Sequence, residues 1–244
     1  MFAQDRGGRS CGSLKGMTRF FDSTLADCMT GRLRSFCAMP LSRKMQACAF
    51  LWAKLKTRYL YRPRLQACGP DSIVLKPLFW TPESISIGSN VLIWPGCRIE
   101  TVGVVGAAVA ADQGVAAPKI DLGDGVTMQQ NCHITAGGAL VIGAGTTILC
   151  EALITDVDHR YEEFGRRVVD QPMTVVPTRI GRNCFIGAGA RILAGTILGD
   201  SCVVGANSVI RGNYPSGVVI AGVPGRVVKR FDVDSREWIR ADRG

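Results

Sequence analysis

Rings, imidazoles and paired cysteines are scarce in this chain. Two histidines, four tryptophans and an aromatic share of 7% in 244 residues exclude a thick core built on large side chains. Thin layers of Val, Ile, Ala and Gly are expected instead, and 29 glycines call for many turns. Two imidazoles also fall short of the three that a histidine-ligated catalytic metal centre needs, so no metal is expected. The ten cysteines contain no CxxC pair, which leaves out a zinc ribbon and a small disulfide scaffold. They read as free buried thiols of a reducing compartment. No run approaches eighteen uninterrupted apolar residues; the apolar segment "GAAVAADQGVAAP" is interrupted by Asp112 and by glycines. The first residues lack an apolar stretch followed by a small-residue cleavage site, so a cytoplasmic protein is expected.

Acidic residues are sparse at the start. Residues 1–64 hold thirteen Lys or Arg against three Asp, so the net charge of +9 resides there. Nucleic acid is not the expected partner, because no recognisable binding module accompanies the charge. Within "MQACAFLWAKLKTRYLYRPR", Phe50, Leu51, Trp52, Leu55, Tyr59 and Leu60 lie among Lys54, Lys56 and Arg58. That mixture suits either a helix packed on the main domain or peripheral contact with an anionic membrane at the inner face.

What the chain does have is a six-residue period. From Ile180 it reads "IGRNCF IGAGAR ILAGTI LGDSCV VGANSV I", placing Ile180, Ile186, Ile192, Leu198, Val204 and Ile210 in register. Upstream the same spacing links Ile87, Ile93 and Ile99, then Leu122, Met128 and Ile134, then Ile142, Ile148 and Ile154. Six is not the period of a helix, and turn residues recur too often for long strands. The pattern predicts a triangular coil in which each hexad gives one short parallel strand and one corner. Aliphatic side chains point inward, and successive coils stack them into ladders.

The period divides the chain into a basic helical arm (1–70), a prism (71–222) and a C-terminal basic segment with a capping helix (223–244). Residues 18–62 read as one or two helices. The repeat breaks near 100–119 and 156–179, and such insertions leave a coil as loops, where binding functions collect.

The hexads from Ile180 to Ile210, the following "YPSGVVIAGVPGRVVKR" and the upstream "IGAGTTILCEALITDVDH" resemble one known family. It is the hexapeptide-repeat acyltransferases, specifically the galactoside and maltose O-acetyltransferase branch and its relatives in polysaccharide biosynthesis. The resemblance covers roughly 120–230. It implies an all-β solenoid, the left-handed parallel β-helix, assembled as a homotrimer with active sites between neighbouring prisms. It further implies acetyl-CoA as donor and a saccharide acceptor. Counting "IGAGTT", "ILCEAL" and "ITDVDH" from Ile142, His159 closes the third hexad and matches the catalytic histidine of the family. Relatives often carry a "DHDH"-like motif there; this chain reads Asp156-Val157-Asp158-His159, and Asp156 or Asp158 is a candidate to orient the imidazole.

The resemblance extends to other residues. "NCHIT" is similar to the "NxNLT"-like segment of the acceptor pocket, which makes Asn131 and His133 acceptor-binding candidates together with Asp158. A histidine in place of the second polar residue leaves galactoside or maltose specificity open. The backbone N–H near Ala188 is the implied oxyanion donor. Ala188 and Ala206 are the implied contacts of the pantetheine arm, where small side chains allow close approach. Arg211, Arg226 and Lys229 are the candidates for the coenzyme A phosphates, with Gly212 standing where relatives have a lysine. Two alternatives remain open at this level: an N-acyltransferase acting on an amino sugar nucleotide, and a non-catalytic scaffold. Serine acetyltransferase shares the coil but has a larger helical N-terminal domain than the roughly 60 residues available here.

Overall fold

The computed structural model describes residues 39–79, 81–102 and 117–241. The chain divides into two compact units, 1–50 and 51–244. Helix α1 (Leu41–Lys56) is continued by a wider turn over Thr57–Tyr61. The expected helical stretch 18–62 is met over 41–61; its part before residue 39 lies outside the described residues.

The rest of the second unit is a parallel β-helix. Three parallel sheets form its faces, here A, B and C in the order the chain visits them. Face A runs from Ala67–Cys68 to Asn213–Tyr214, and face B from Ile73–Val74 to Val218–Gly222. Face C comprises Leu78–Phe79, Arg98–Thr101, His133–Ala136, Leu153–Thr155, Arg191–Ile192 and Val209–Ile210. The hexad residues sit in register: Ile142 opposite Ile180 on face A, Ile148 opposite Ile186 on face B, Ile154 opposite Ile192 on face C. All six are fully buried. Each aliphatic rung is therefore covered by the coils on either side of it, worth about 1.5–3 kcal/mol per side chain.

The corners follow from backbone geometry. At the turn from face B to face C the chain takes positive φ at Gly96, Asn131, Glu151, Gly189 and Asn207 in successive coils. Glycine is needed at 189 for a second reason: a Cβ there would lie 2.2 Å from Asn207 Oδ1 in the next coil. The cysteines fill narrow positions beside the corners. Among the described residues all seven cysteines are free; Cys97, Cys132, Cys184 and Cys202 are buried as expected from the sequence, whereas Cys68 and Cys150 are half-buried and Cys48 is exposed. Each thiol donates to a backbone carbonyl, Cys97 to Gln129 at 3.0 Å, Cys132 to Leu149 at 3.1 Å, Cys184 to Gly199 at 3.2 Å and Cys202 to Pro215 at 3.1 Å. The adjacent thiol and burial push the pKa of Cys132 and Cys184 far up.

Both insertions leave from the third corner, between faces C and A. The first follows Arg98–Thr101 and rejoins at Lys119–Leu122, with 103–116 outside the described residues. The second follows Leu153–Thr155 and rejoins at Arg179–Ile180.

The expected C-terminal capping helix is not found. Strand Gly225–Asp232 folds back antiparallel on Val218–Gly222, and Glu237–Arg240 pairs with it in turn. Val218–Gly222 would otherwise present an open sheet edge, and the β-branched Val227 and Val228 favour extending it. Asp232, which could have capped a helix, instead accepts hydrogen bonds from Ser235 Oγ (2.5 Å) and N–H (3.2 Å) and closes the hairpin. Phe231 and Trp238 then pack edge to face at 5.5 Å.

Candidate active site

The second insertion is an antiparallel hairpin, Val157–His159 against Met173–Val175. Its attachment depends on two residues that the hexad does not need. Ile134 and Ile142 are eight apart, and the extra pair is Gly137-Gly138. Their N–H groups donate to the two carboxylate oxygens of Asp156, at 2.6 and 3.0 Å. Asp156 is fully buried, and desolvation raises its pKa against the lowering effect of those two bonds. Val176 N–H closes the base of the hairpin on the Asp156 carbonyl at 2.8 Å. Gly137 is glycine because the hairpin lies on it: a Cβ would meet Val175 Cγ2 at 2.6 Å and Val157 Cγ2 at 3.0 Å. Farther out, buried Gln171 holds the loop together, donating to the carbonyls of Glu163 and Arg166 and accepting from Glu163 N–H. The tip exposes Tyr161, Phe164 and Val169.

His159 stands exposed on this hairpin, opposite Met173, and its ring makes no hydrogen bond or ion pair among the described residues. Neither aspartate orients it. The Asp156 carboxylate is committed to the glycine pair, and Asp158 accepts from Arg211 at 2.5 Å. That ion pair joins the hairpin to the chain just after strand Val209–Ile210. Both partners are about half exposed, at 54% and 49%, and such a pair is worth 1 kcal/mol or less, about enough to bias a rotamer.

The other histidine has partners. On the outer surface of face C, His133 Nε2 lies 3.0 Å from Glu100 Oε1 and 2.9 Å from Thr135 Oγ1. Arg98 pairs with the second oxygen of Glu100 at 2.7 Å. The group is assembled by stacking: Arg98 faces His133, and Glu100 faces Thr135, across adjacent coils. Glu100 is only 14% exposed, held between Arg98 and His133. Asn131 stays at its corner, where its positive φ of 59° and the close approach of its Oδ1 to Gly96 account for the amide.

Ala188 and Ala206 occupy the same corner, face B to face C, in successive coils, and Asn207 N–H donates to the Ala188 carbonyl at 2.8 Å. Their own N–H groups make no hydrogen bond among the described residues, which also holds for Gln130 and Cys150 at the equivalent positions. Small side chains, not free donors, set the two alanines apart. The turn Gly222–Gly225 lies over this edge, with Gly222 N–H on Ser208 Oγ at 3.1 Å, and leads into Arg226. Ala188, Ala206 and Arg226 thus line one edge of face C, while Arg211 stands at the other. Lys229 is exposed farther along the same strand. Among the described residues, no cluster of His, Cys, Asp or Glu could hold a metal ion.

Sequence reasoning missed Glu100 and Thr135 as partners of His133 and Gly137-Gly138 as the anchor of Asp156. The eight-residue step from Ile134 to Ile142 was a readable signal for the anchor. Glu100 carried none, because its register against the His133 strand is set across an insertion that interrupts the hexads.

A family model described as the hexapeptide repeat of succinyl-transferase matches residues 177–211. The chain is 30% identical over 165 residues to WbbJ of Escherichia coli, which carries the name lipopolysaccharide biosynthesis O-acetyl transferase; the match covers 65% of this chain and 78% of that protein. Against the galactoside O-acetyltransferase of Escherichia coli, identity is 30% over 117 residues, 48% of this chain and 54% of the relative. Among solved structures, AntD, an N-acyltransferase from Bacillus cereus in complex with dTDP and 3-hydroxybutyryl-CoA, superposes with a TM-score of 0.58 at 19% identity. It covers 73% of this chain and 90% of its own, a likeness of fold.

Proposed function

Since the chain belongs to the hexapeptide-repeat acyltransferases of left-handed parallel β-helix fold, we propose that it moves an acetyl group from acetyl-CoA to a hydroxyl of a saccharide or saccharide-bearing intermediate in surface polysaccharide production. His159 is the base in this reading. As the acceptor oxygen attacks the thioester carbonyl, the imidazole takes the hydroxyl proton and the new C–O bond forms. When the C–S bond breaks, the same proton passes to the leaving thiolate, so no covalent enzyme intermediate is needed. Ala188 and His159 lie at opposite edges of face C, so in this reading the Ala188 N–H steadies the oxyanion across the cleft between two copies, facing the His159 hairpin of the other. Coenzyme A lies along the edge of Ala188 and Ala206, with Arg226 and Lys229 toward its phosphates. Arg211, expected from the sequence on the coenzyme A phosphates, stands at the edge of face C away from Ala188 and Ala206 and pairs with Asp158, so we assign it instead to the acceptor side. Asn131 and His133 line the acceptor pocket.

The observation that carries the reading is the position of His159. The prism interior is sealed with aliphatic side chains, so a cleft arises only where a loop leaves it, and His159 opens the larger described loop with a ring free to meet substrate. The exposed tip residues Tyr161, Phe164 and Val169 support seating of that loop on a second copy, as in a homotrimer with intersubunit sites.

One observation favours a second reading. The contacts of His133 Nε2 with Glu100 and Thr135 hold the ring in place and leave Nδ1 for the acceptor. The test is acetyl-CoA-dependent thiol release against saccharide and amino-sugar acceptors, comparing wild type with His159→Ala and His133→Ala at equal coenzyme A affinity. A fall of about 10²- to 10⁴-fold in kcat for His159→Ala is expected. Such a fall for His133→Ala alone would move the base there, and turnover surviving both substitutions would sink both assignments. Turnover only of amines would make the enzyme an N-acyltransferase. Absence of both turnover and coenzyme A binding would leave a scaffold.

A further inference from the structure

From Cys28 to Pro70 the chain has no Asp or Glu, and from Leu41 onward that stretch holds seven Lys or Arg. Within the second unit, one side of the helical segment is fixed to the first coil. Ala53 and Thr57 are buried, Tyr61 packs on the core, and Thr57 Oγ1 accepts from Val74 N–H at 2.9 Å while donating to the Ala53 carbonyl at 2.8 Å. The opposite side is apolar and open: Leu51, Trp52, Leu55, Tyr59 and Leu60 are 40–70% exposed. The 3- and 4-residue spacing of Trp52, Leu55 and Tyr59 runs back in the sequence through Cys48, Met45 and Leu41. Cations flank the apolar strip. Lys56 lies over the Trp52 ring at 5.3 Å and Arg58 over the Tyr59 ring at 5.7 Å. Arg58 and Arg62 also line a cleft with Gly69, Pro70 and the ion pair of Lys54 with Asp71 at 2.9 Å.

The occupant must accept both features. A second copy of this face would bring Lys56, Arg58 and Arg62 against their own counterparts, and the carboxylate that lines the cleft, Asp71, is already paired with Lys54. A nucleic acid would meet the charge but gain nothing from Leu51, Leu55 and Leu60. An anionic bilayer surface offers phosphates for the cations and an apolar boundary for the strip, and Trp and Tyr are the rings that settle at that depth. We propose that this face docks on an anionic membrane surface, with Trp52, Leu55 and Tyr59 at the headgroup boundary and Lys56, Arg58 and Arg62 on headgroup phosphates. No described helix is long and apolar enough to cross a membrane, so the contact is peripheral. It is independent of the acyl-transfer reading.

The test is co-sedimentation of the full chain with vesicles of phosphatidylcholine alone and of equimolar phosphatidylcholine and phosphatidylglycerol. Binding to the anionic vesicles only, weakened by salt, is expected. The Trp52→Ser/Tyr59→Ser double variant should lose about tenfold or more in partitioning while keeping its melting temperature, since both rings are exposed in the fold. Equal binding by the double variant, or no binding by wild type, overturns the proposal. So does a change in molar mass by light scattering in the double variant, which would make the face an interface between copies. Vesicle binding is read without turnover, so its outcome does not depend on the fate of the proposed reaction.

Discussion

Between Ile180 and Ile210 the hexad runs without a miss; between Ile134 and Ile180 it is broken twice. In the regular stretch each coil is held by the next one's backbone, as in Phe185 N–H to the Cys202 carbonyl at 2.8 Å, and glycines mark where main chains touch. In the broken stretch side chains take over. Asp156 binds the glycine pair, and Thr178 Oγ1 donates to the Thr155 carbonyl at 3.1 Å while accepting from Gly195 N–H at 3.0 Å. A strict period is the cost of stacking coil on coil, whereas a departing hairpin needs buried polar groups to replace the lost ladder.

The comparison can be broken first in the regular half. Ile186→Ala empties a rung that touches two neighbouring coils, and should lower unfolding free energy by about 2–5 kcal/mol in denaturant titration. A loss below that range would mean that the ladder can collapse locally. Gly143→Ala should cost about 1–3 kcal/mol or more, because its new Cβ would lie 2.5 Å from the backbone carbon of Gly181, which cannot move without displacing a coil.

Two substitutions sharpen the other side. Asp156→Asn leaves one of two buried N–H groups without its acceptor, and should cost about 1–3 kcal/mol near neutral pH and lower turnover by misplacing the hairpin. It also changes the pH profile. The folded pKa of Asp156 is raised, so the native state binds the proton more tightly than the unfolded chain. The wild type should therefore lose stability as pH rises from the ordinary carboxylate range through that raised value, and the variant should lack this slope. An identical slope in both proteins would assign it elsewhere. Smallest in stability is Gly137→Ala, at about 1 kcal/mol. Its Cβ meets side-chain methyl groups of Val175, Val157 and Val102, which can yield; the expected signature is reduced kcat with little change in melting temperature.

Much of this was legible in advance. The inward residues of three faces, both insertions and the exposed His159 follow from a period of six. The C-terminal hairpin did not, because "GRVVKRFDVDSRE" offers turn and cap residues that serve a helix or a hairpin equally. Only the open edge of Val218–Gly222 decides between them. Asp158 read as a neighbour of His159, yet its partner is Arg211, 53 residues on.

By itself the sequence determined the prism, because a six-residue period with small corner residues leaves one way to bury every aliphatic side chain. The tertiary structure alone decided which polar groups meet: Asp156 with Gly137-Gly138, Asp158 with Arg211, His133 with Glu100. Each of these contacts joins coils separated by a full turn or an insertion, and stacking register, which local composition does not encode, sets which side chains come within a hydrogen bond of one another.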